Sequence, residues 1–294
     1  NKEIFMDKSR FFLPTSADIE CDHKKTVHNS LPYVQPYYHQ HDGFEIYLFL
    51  NGNATYYIEH HCARLEKGSL FFTRPGELHR VECSNEIPYE RVTINIRPAV
   101  LTALSTGTTN LAQCLHTTAS GLDNILLLNN QTINEFLLLT SQLQRYLNLK
   151  PGTYGRDLMI NCYLSQILYR VNILFLERPY TDAIDIMPPF VKSAMEFIDQ
   201  NLTKNITMAD ICAHVHHNAD YISRSFKKIT GTSTQQYIIF KRIQLAQKYI
   251  AAGKSLNDAC CLAGFNDYSN FARTFKKQIG LSPKDYQHSN HFNI

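Results

Sequence analysis

The feature that most constrains this chain is a repeat. Arg224-Ser-Phe-Lys-Lys228 returns 49 residues later as Arg273-Thr-Phe-Lys-Lys277, and Gly231, Ser233 and Tyr237 return as Gly280, Ser282 and Tyr286. Upstream, Asp210-Ile-Cys212 matches Asp258-Ala-Cys260 once one residue is added to the second turn. A repeat of this size marks one supersecondary unit used twice. Each copy reads as helix, tight turn, helix. In the first, Met208–Val215 and Ala219–Ile229 flank His216-His217-Asn218; in the second, Leu256–Ala263 and Asp267–Ile279 flank Gly264-Phe265-Asn266. Gly264 stands where a helix end favours a left-handed residue, and Asp267 or Asn266 can cap the next helix. Ile211, Val215, Ile222 and Phe226 form the expected buried face of the first unit, and Ala259, Ala263, Phe271 and Phe275 that of the second. Between the copies, Thr234–Ala251 contains no Gly or Pro. As a helix it would span about 27 Å, close to the ~34 Å between successive major grooves on one face of B-DNA.

The residues left over on the second helix of each unit carry the chemistry. Arg224 and Arg273 each precede a core phenylalanine by two positions, and a two-residue step turns a helix by about 200°, so each arginine points away from its core. An arginine can bond two acceptors on guanine at once, whereas Lys227, Lys228, Lys276 and Lys277 suit phosphate contacts. A pair of ordinary amphipathic helices with solvated charges is the alternative; two copies in register favour the DNA reader. The net charge of +3 is too small to argue for a polyanion partner, but its distribution helps: residues 1–180 hold 16 basic and 17 acidic side chains, residues 181–294 hold 13 and 9.

Residues 188–289 resemble the DNA-binding domain of the AraC/XylS family of bacterial transcription regulators, most specifically through A263-G-F-N-D-Y-S-N-F-A-R-T-F-K-K-Q-I-G-L-S-P-K-D-Y286. The resemblance implies that Asp220, Ser223 and Arg224 occupy the base-reading slots of the first unit, and Tyr268, Ser269, Ala272 and Arg273 those of the second. It also implies double-stranded promoter DNA and RNA polymerase as partners. Three positions depart from expectation: Gln287 stands where the family often has arginine, Asp220 is a poor neighbour for phosphate, and Ala272 offers only a methyl contact.

The N-terminal half is different in kind. Phe44–Leu50, Ala54–Ile58, Ser69–Thr73 and Arg91–Ile96 read as short strands separated by Asn51-Gly52-Asn53, Lys67-Gly68 and Pro75-Gly76, a spacing that suggests a small barrel or sandwich. Residues 1–29 read as a mixed arm, and 98–120 give no clear pattern. Ile133–Leu149 and Asp157–Glu177 read as helices. The second is apolar on more than one face (Leu158, Cys162, Leu164, Leu168, Val171, Phe175): one stripe can pack on the barrel, and the other is either buried within the same chain or covered by a second subunit. Dimerisation through 131–177 is therefore expected. Residues 179–187 read as a linker between Pro179 and Pro189. The expected architecture is α+β: an effector and dimerisation domain over 1–178, consisting of a cupin-like β-barrel with flanking helices, and an all-α domain over 188–289 with helix-turn-helix units at 208–229 and 256–279 joined by a linker helix.

His39-x-His41-x3-Glu45-x6-Gly52, followed by Gly68 and Pro75-Gly76-x2-His79, resembles the two cupin motifs. Alternate residues of a strand share a face, so His39, His41 and Glu45 would point into one barrel and His79 would reach it from another strand; Cys83 stands where the second motif often has asparagine. In metal cupins these four positions bind the metal. In AraC/XylS regulators the barrel usually holds an organic effector, so the expectation is a small organic ligand, with no metal or other cofactor, held by Tyr37, His39, His41, Glu45, Tyr47 and His79. Tyr37, Tyr47, Phe49 and Phe72 could stack on a sugar. The competing classes are a metal-dependent cupin oxygenase or isomerase, against which the attached DNA-binding domain argues, and a regulator driven by protein partners alone. The eight cysteines include no CxxC pair, as expected for reduced thiols. Asn1-Lys2-Glu3 does not read as a signal peptide, no apolar run approaches the ~20 residues of a membrane span, and a cytoplasmic location is expected.

Overall fold

A computed structural model describes residues 18–26, 38–83, 87–117, 121–177 and 183–291. They fall into two units. One runs from Asp18 to Ile186 without Tyr38 and His39; those two group with the other, which runs from Met187 onward.

The first unit is built on eight strands: β1 (Ile19–Thr26), β2 (Phe44–Asn51), β3 (Ala54–Ile58), β4 (His61–Arg64), β5 (Ser69–Thr73), β6 (His79–Cys83), β7 (Tyr89–Ile96) and β8 (Ile125–Leu127). They form two antiparallel sheets, β1-β7-β2-β5-β8 and β4-β3-β6. No ladder joins the sheets among the described residues, so the expected barrel is an open, cupin-like pair of sheets. Every residue of β2 from Phe44 to Leu50 is buried, because each face of this central strand has a cover. Phe44, Ile46, Leu48 and Leu50 pack with Leu70, Phe72, Val92 and Ile94 beneath the helices. Tyr47 and Phe49 pack with Phe71 and Tyr89 against Tyr56, Ile58, Val81 and Cys83 of the smaller sheet. The period-2 alternation thus gives one sheet two cores.

Four helices complete this unit: α1 (Pro98–Leu104), α2 (Gln113–Thr117), α3 (Asn130–Leu147) and α4 (Arg156–Glu177). The Asn129 side chain caps α3 by accepting from the Thr132 amide at 2.9 Å. Buried Asn172 latches α2 to α4: its carboxamide accepts from the Cys114 amide at 2.8 Å and donates to the Leu111 carbonyl at 2.7 Å. Two expectations need correcting. Part of the mixed arm is β1, paired along its whole length with β7, and part of 98–120 is α1 and α2. By length and composition α4 also passes for a membrane span, although the sequence reading found no apolar run that long. Here it is a core helix, with Ile160, Leu164, Ile167, Leu168, Val171 and Phe175 buried in the first unit.

The second unit contains α5 (Pro189–Gln200), α6 (Met208–Val215), α7 (Ala219–Thr230), α8 (Thr234–Ala251), α9 (Leu256–Leu262), α10 (Tyr268–Ile279) and α11 (Pro283–His291). The sequence dictates each boundary. Thr207 and Asp210 form a capping box on α6, and Ser233 and Gln236 one on α8. Asn218 caps α7, and Asp267, not Asn266, caps α10. Gly231 and Gly280 end α7 and α10 in the left-handed region. The Phe265 amide bonds to the Cys260 carbonyl and the Gly264 amide to that of Cys261, the bond pair that closes a helix through a left-handed glycine. Helix α8 packs against α5, α7, α9, α10 and α11. Its Arg242 donates to the Leu202 and Lys204 carbonyls at 2.8 and 2.6 Å, so one side chain ties the α5–α6 loop to the axis of the unit.

Candidate nucleic-acid interface and sheet-lined cluster

The two copies place their side chains in register. On α7, Ile222, Phe226 and Thr230 are buried; on α10 the residues 49 positions later, Phe271, Phe275 and Ile279, are buried. Each fully buried phenylalanine contributes roughly 1.5–3 kcal/mol of apolar burial, which fixes how the helix is rolled about its axis. The opposite face is then determined. Asp220, Ser223, Arg224, Lys227 and Lys228 follow one another at helical spacing and are all exposed. Ser269, Arg273, Lys276 and Lys277 occupy the equivalent places on α10 and are exposed, as is Tyr268; Ala272 is half-buried. Among the described residues, the Arg224 guanidinium makes only a long bond, 3.3 Å, to the Asp220 carbonyl of its own helix. Each unit therefore presents a stripe of one arginine, two lysines and short polar residues, supported from behind by a rigid apolar face. Such a surface has the donors needed for base edges and phosphates.

In the first unit, His41, Glu45 and His79 meet at one end of the space between the sheets. Glu45 is buried, and its Oε2 lies 3.1 Å from His79 Nε2 and 3.7 Å from His41 Nε2. The rings of His41 and His79 are 4.9 Å apart. His79 Nδ1 lies 3.0 Å from the Glu77 carbonyl, which fixes the ring and aims Nε2 at Glu45. Burial alone would push Glu45 up, but the adjacent His41 and His79 imidazoles hold it well below the usual carboxylate range. Burial works to lower His41, and the Glu45 carboxylate overcomes it and raises the imidazole above its ordinary value. The cluster is a carboxylate held between two imidazoles. Its two imidazoles and one carboxylate also have the donor chemistry of a divalent-metal site.

The strand register reveals residues that sequence reading missed. Glu45 lies directly opposite Thr73 on β5 and Asn95 on β7, and Asn95 lies opposite Glu20 on β1. Directly opposed residues share a face, so Glu20, Asn95, Glu45 and Thr73 form a polar row across the inner side of the sheet. Tyr47 stands in the next row, stacked on Phe71 at 4.5 Å. Tyr47 Oη, Thr73 Oγ1 and Asn95 Oδ1 are buried without a hydrogen-bond partner among the described residues, the condition of groups that await one. The signal for Thr73 was its two-residue step from Phe71; for Asn95 it was the register, which the sequence alone does not give. Among the expected stacking residues, Phe49 is on the inner side, 6.1 Å from Tyr89. Phe72 is not: it packs on the helical side against Phe175 at 4.8 Å. His39 is half-buried and goes with the second unit, and Tyr37 lies outside the described residues.

Residues 211–289 match a helix-turn-helix domain family, and residues 30–166 match the AraC-like ligand binding domain family. The chain belongs to the AraC/XylS family. The lactose operon transcription activator of Staphylococcus xylosus is 28% identical over 141 residues, 48% of this chain and 50% of that protein. The melibiose operon regulatory protein of Escherichia coli K12 is 32% identical over 99 residues, 33% of each chain. The raffinose operon transcriptional regulatory protein of Pediococcus pentosaceus is 22% identical over 254 residues, 84% of this chain and 86% of that protein. This AraC/XylS member thus spans half or less of the first two of these relatives. Among solved structures, ToxT from Vibrio cholerae aligns over 92% of this chain and 98% of its own with 15% identity and a TM-score of 0.37, too low to argue from.

Proposed function

We propose that this chain is a cytoplasmic, sequence-specific DNA-binding transcription activator, controlled by a small organic effector held between the sheets of its first unit. The observation that carries the reading is the pair of matched, solvent-facing stripes on α7 and α10, seated on one helix, α8. Arg224 and Arg273 read base edges, with Asp220, Ser223, Tyr268, Ser269 and Ala272 beside them, and Lys227, Lys228, Lys276 and Lys277 hold phosphates. RNA polymerase is the partner that an activator of this family would engage. The effector site comprises His41, Glu45, Tyr47 and His79 from the sequence reading, with Thr73 and Asn95 added from the register; Tyr37 and His39 stay in the proposal through the motif. A carboxylate already paired with two imidazoles, beside neutral hydroxyl and carboxamide groups, suits an uncharged, hydroxyl-rich ligand. The operon names of the relatives make a sugar the first candidate.

A homodimer belongs to the same reading. On α4, Leu158, Cys162, Tyr169 and Leu176 are exposed. Their steps of four, seven and seven residues return to within about 40° of one direction, opposite the buried stripe. A second copy is the cover we propose for it.

The DNA reading is tested by two substitutions and promoter fragments from this gene and its neighbours. Arg273→Ala should lower affinity for the native site roughly 5- to 150-fold, the equivalent of about 1–3 kcal/mol, and relax preference at one or two base pairs. Lys277→Ala should weaken all sequences alike and flatten the salt dependence. If Arg273→Ala lowers specific and non-specific binding equally, the arginine is a phosphate clamp. A thermal-shift screen of sugars tests the effector; regulation that chelation abolished and a metal ion restored would favour a metal in the cluster instead.

A further inference from the structure

The segment between α4 and α5, expected to be a linker, is fastened at its far end. The Asp185 carboxylate bridges two groups of β4: Oδ2 lies 2.8 Å from His61 Nδ1, and Oδ1 accepts from the Cys62 amide at 3.2 Å. The next residue continues the pattern, the Ile186 amide donating to the Cys62 carbonyl at 2.9 Å. Strand β4 is the edge of its sheet, so Asp185-Ile186 supplies backbone partners that an edge otherwise leaves to solvent. Two further observations show a built seat. Ala183 packs on the core that contains Tyr47, Tyr56 and Phe71. The His61 ring lies against Gly121, where a Cβ would come within 2.9 Å of its Cδ2 and where φ is +92°, so the ring occupies space that only glycine leaves free.

We propose that this contact is a releasable clasp that sets the reach of the DNA-binding unit. Closed, it leaves Met187 and Pro188 between Ile186 and the start of α5, a span of at most about 10 Å at ~3.5 Å per residue. Open, the chain from Glu177 to Pro189 can extend to about 40 Å. The contacts of the clasp include one ion pair with 31% and 27% of its side chains exposed and two hydrogen bonds. Contacts of this kind hold a segment without making it permanent. The inference goes beyond the proposed function and does not depend on which ligand the first unit takes.

The test uses the full chain carrying Asp185→Ala or His61→Ala. Neither side chain belongs to the cluster around Glu45, and both are partly exposed, so each variant should fold. Hydrogen exchange at the Ile186 amide should accelerate about tenfold or more in both. For the reach, spin labels are placed on native Cys261, exposed on α9, and on Lys67→Cys, in the exposed turn before β5. Cys162→Ser and Cys212→Ser remove the other reactive thiols, and unlabelled protein dilutes any dimer. The inter-label distance distribution should broaden in both variants relative to the parent. Unchanged exchange at Ile186 would overturn the clasp. Faster exchange with an unchanged distribution would overturn its role in setting the reach.

Discussion

Gly264 gives the sharpest test of how the two repeats are held together. Its φ is +86°, and a Cβ there would collide with the Leu202 carbonyl oxygen while approaching Arg242 Nε and Thr203 Cα to 3.0 Å each. Gly280, at the end of α10, has nearly the same backbone, φ +83°, but a Cβ there would meet nothing within 4 Å. The pair separates conformational strain from collision. Left-handed backbone costs an alanine about 1–2 kcal/mol at either position. At Gly264 the turn must also move away from Leu202, which sacrifices the 2.8 Å bond from Arg242 to that carbonyl; a hydrogen bond from a charged group is worth roughly 1.5–3 kcal/mol. Gly264→Ala should therefore cost about 3–5 kcal/mol and Gly280→Ala about 1–2 kcal/mol. For a domain of this size the first corresponds to a fall of roughly 12 °C or more in melting temperature. Scanning calorimetry of the full chain reads both, and promoter binding measured below and above the lowered transition links the loss to function. Equal costs at the two glycines would refute the reasoning, because only the collision distinguishes them.

The buried ionic cluster predicts a pH dependence of determinate sign. His41 is raised in the folded chain, so its contribution is complete below about pH 6.5 and lost as pH rises through the raised value; Glu45 is lowered, so its contribution is present above its ordinary range and lost as pH falls through the lowered value. Stability of the first unit should accordingly decline from pH 6 to pH 9, and Glu45→Gln should flatten that decline, as read by thermal unfolding at several pH values. In the parent, sedimentation should report a dimer at micromolar concentration, and Leu158→Glu with Leu176→Glu should give a monomer; a strictly monomeric parent would remove the proposed interface. His216, a non-glycine residue at φ +55° at the end of α6, should accept glycine with a gain of up to about 1 kcal/mol by the same left-handed argument.

How much of this was legible in the sequence depends on whether the determinant was local. The second unit was, because caps, left-handed glycines and apolar spacing lie within a turn of one another: Met208–Val215 and Thr234–Ala251 have the expected bounds, and Asp267 settles the choice of cap. The orientation of α7 and α10 was legible for the same reason, since a phenylalanine fixed in the core dictates where the residue two positions earlier points. The first unit was legible only strand by strand. Its motif residues His41, Glu45 and His79 do converge, but Phe72 faces the helices because it is one residue out of phase with Phe71, and a one-residue step in a strand reverses the face. β1 escaped notice because an edge strand reading IECDHKKT carries mixed polarity, and its identity comes from pairing with β7, more than sixty residues away. Asn95 and Thr73 were hidden for the related reason that a shared row is a property of register. The tether illustrates the same limit: a segment bounded by prolines reads as a linker, yet Asp185 finds its partners at positions 61 and 62, a pairing that exists only once the small sheet has formed. Local chemistry therefore specified the part that would read DNA, and long-range register specified the part that would decide when.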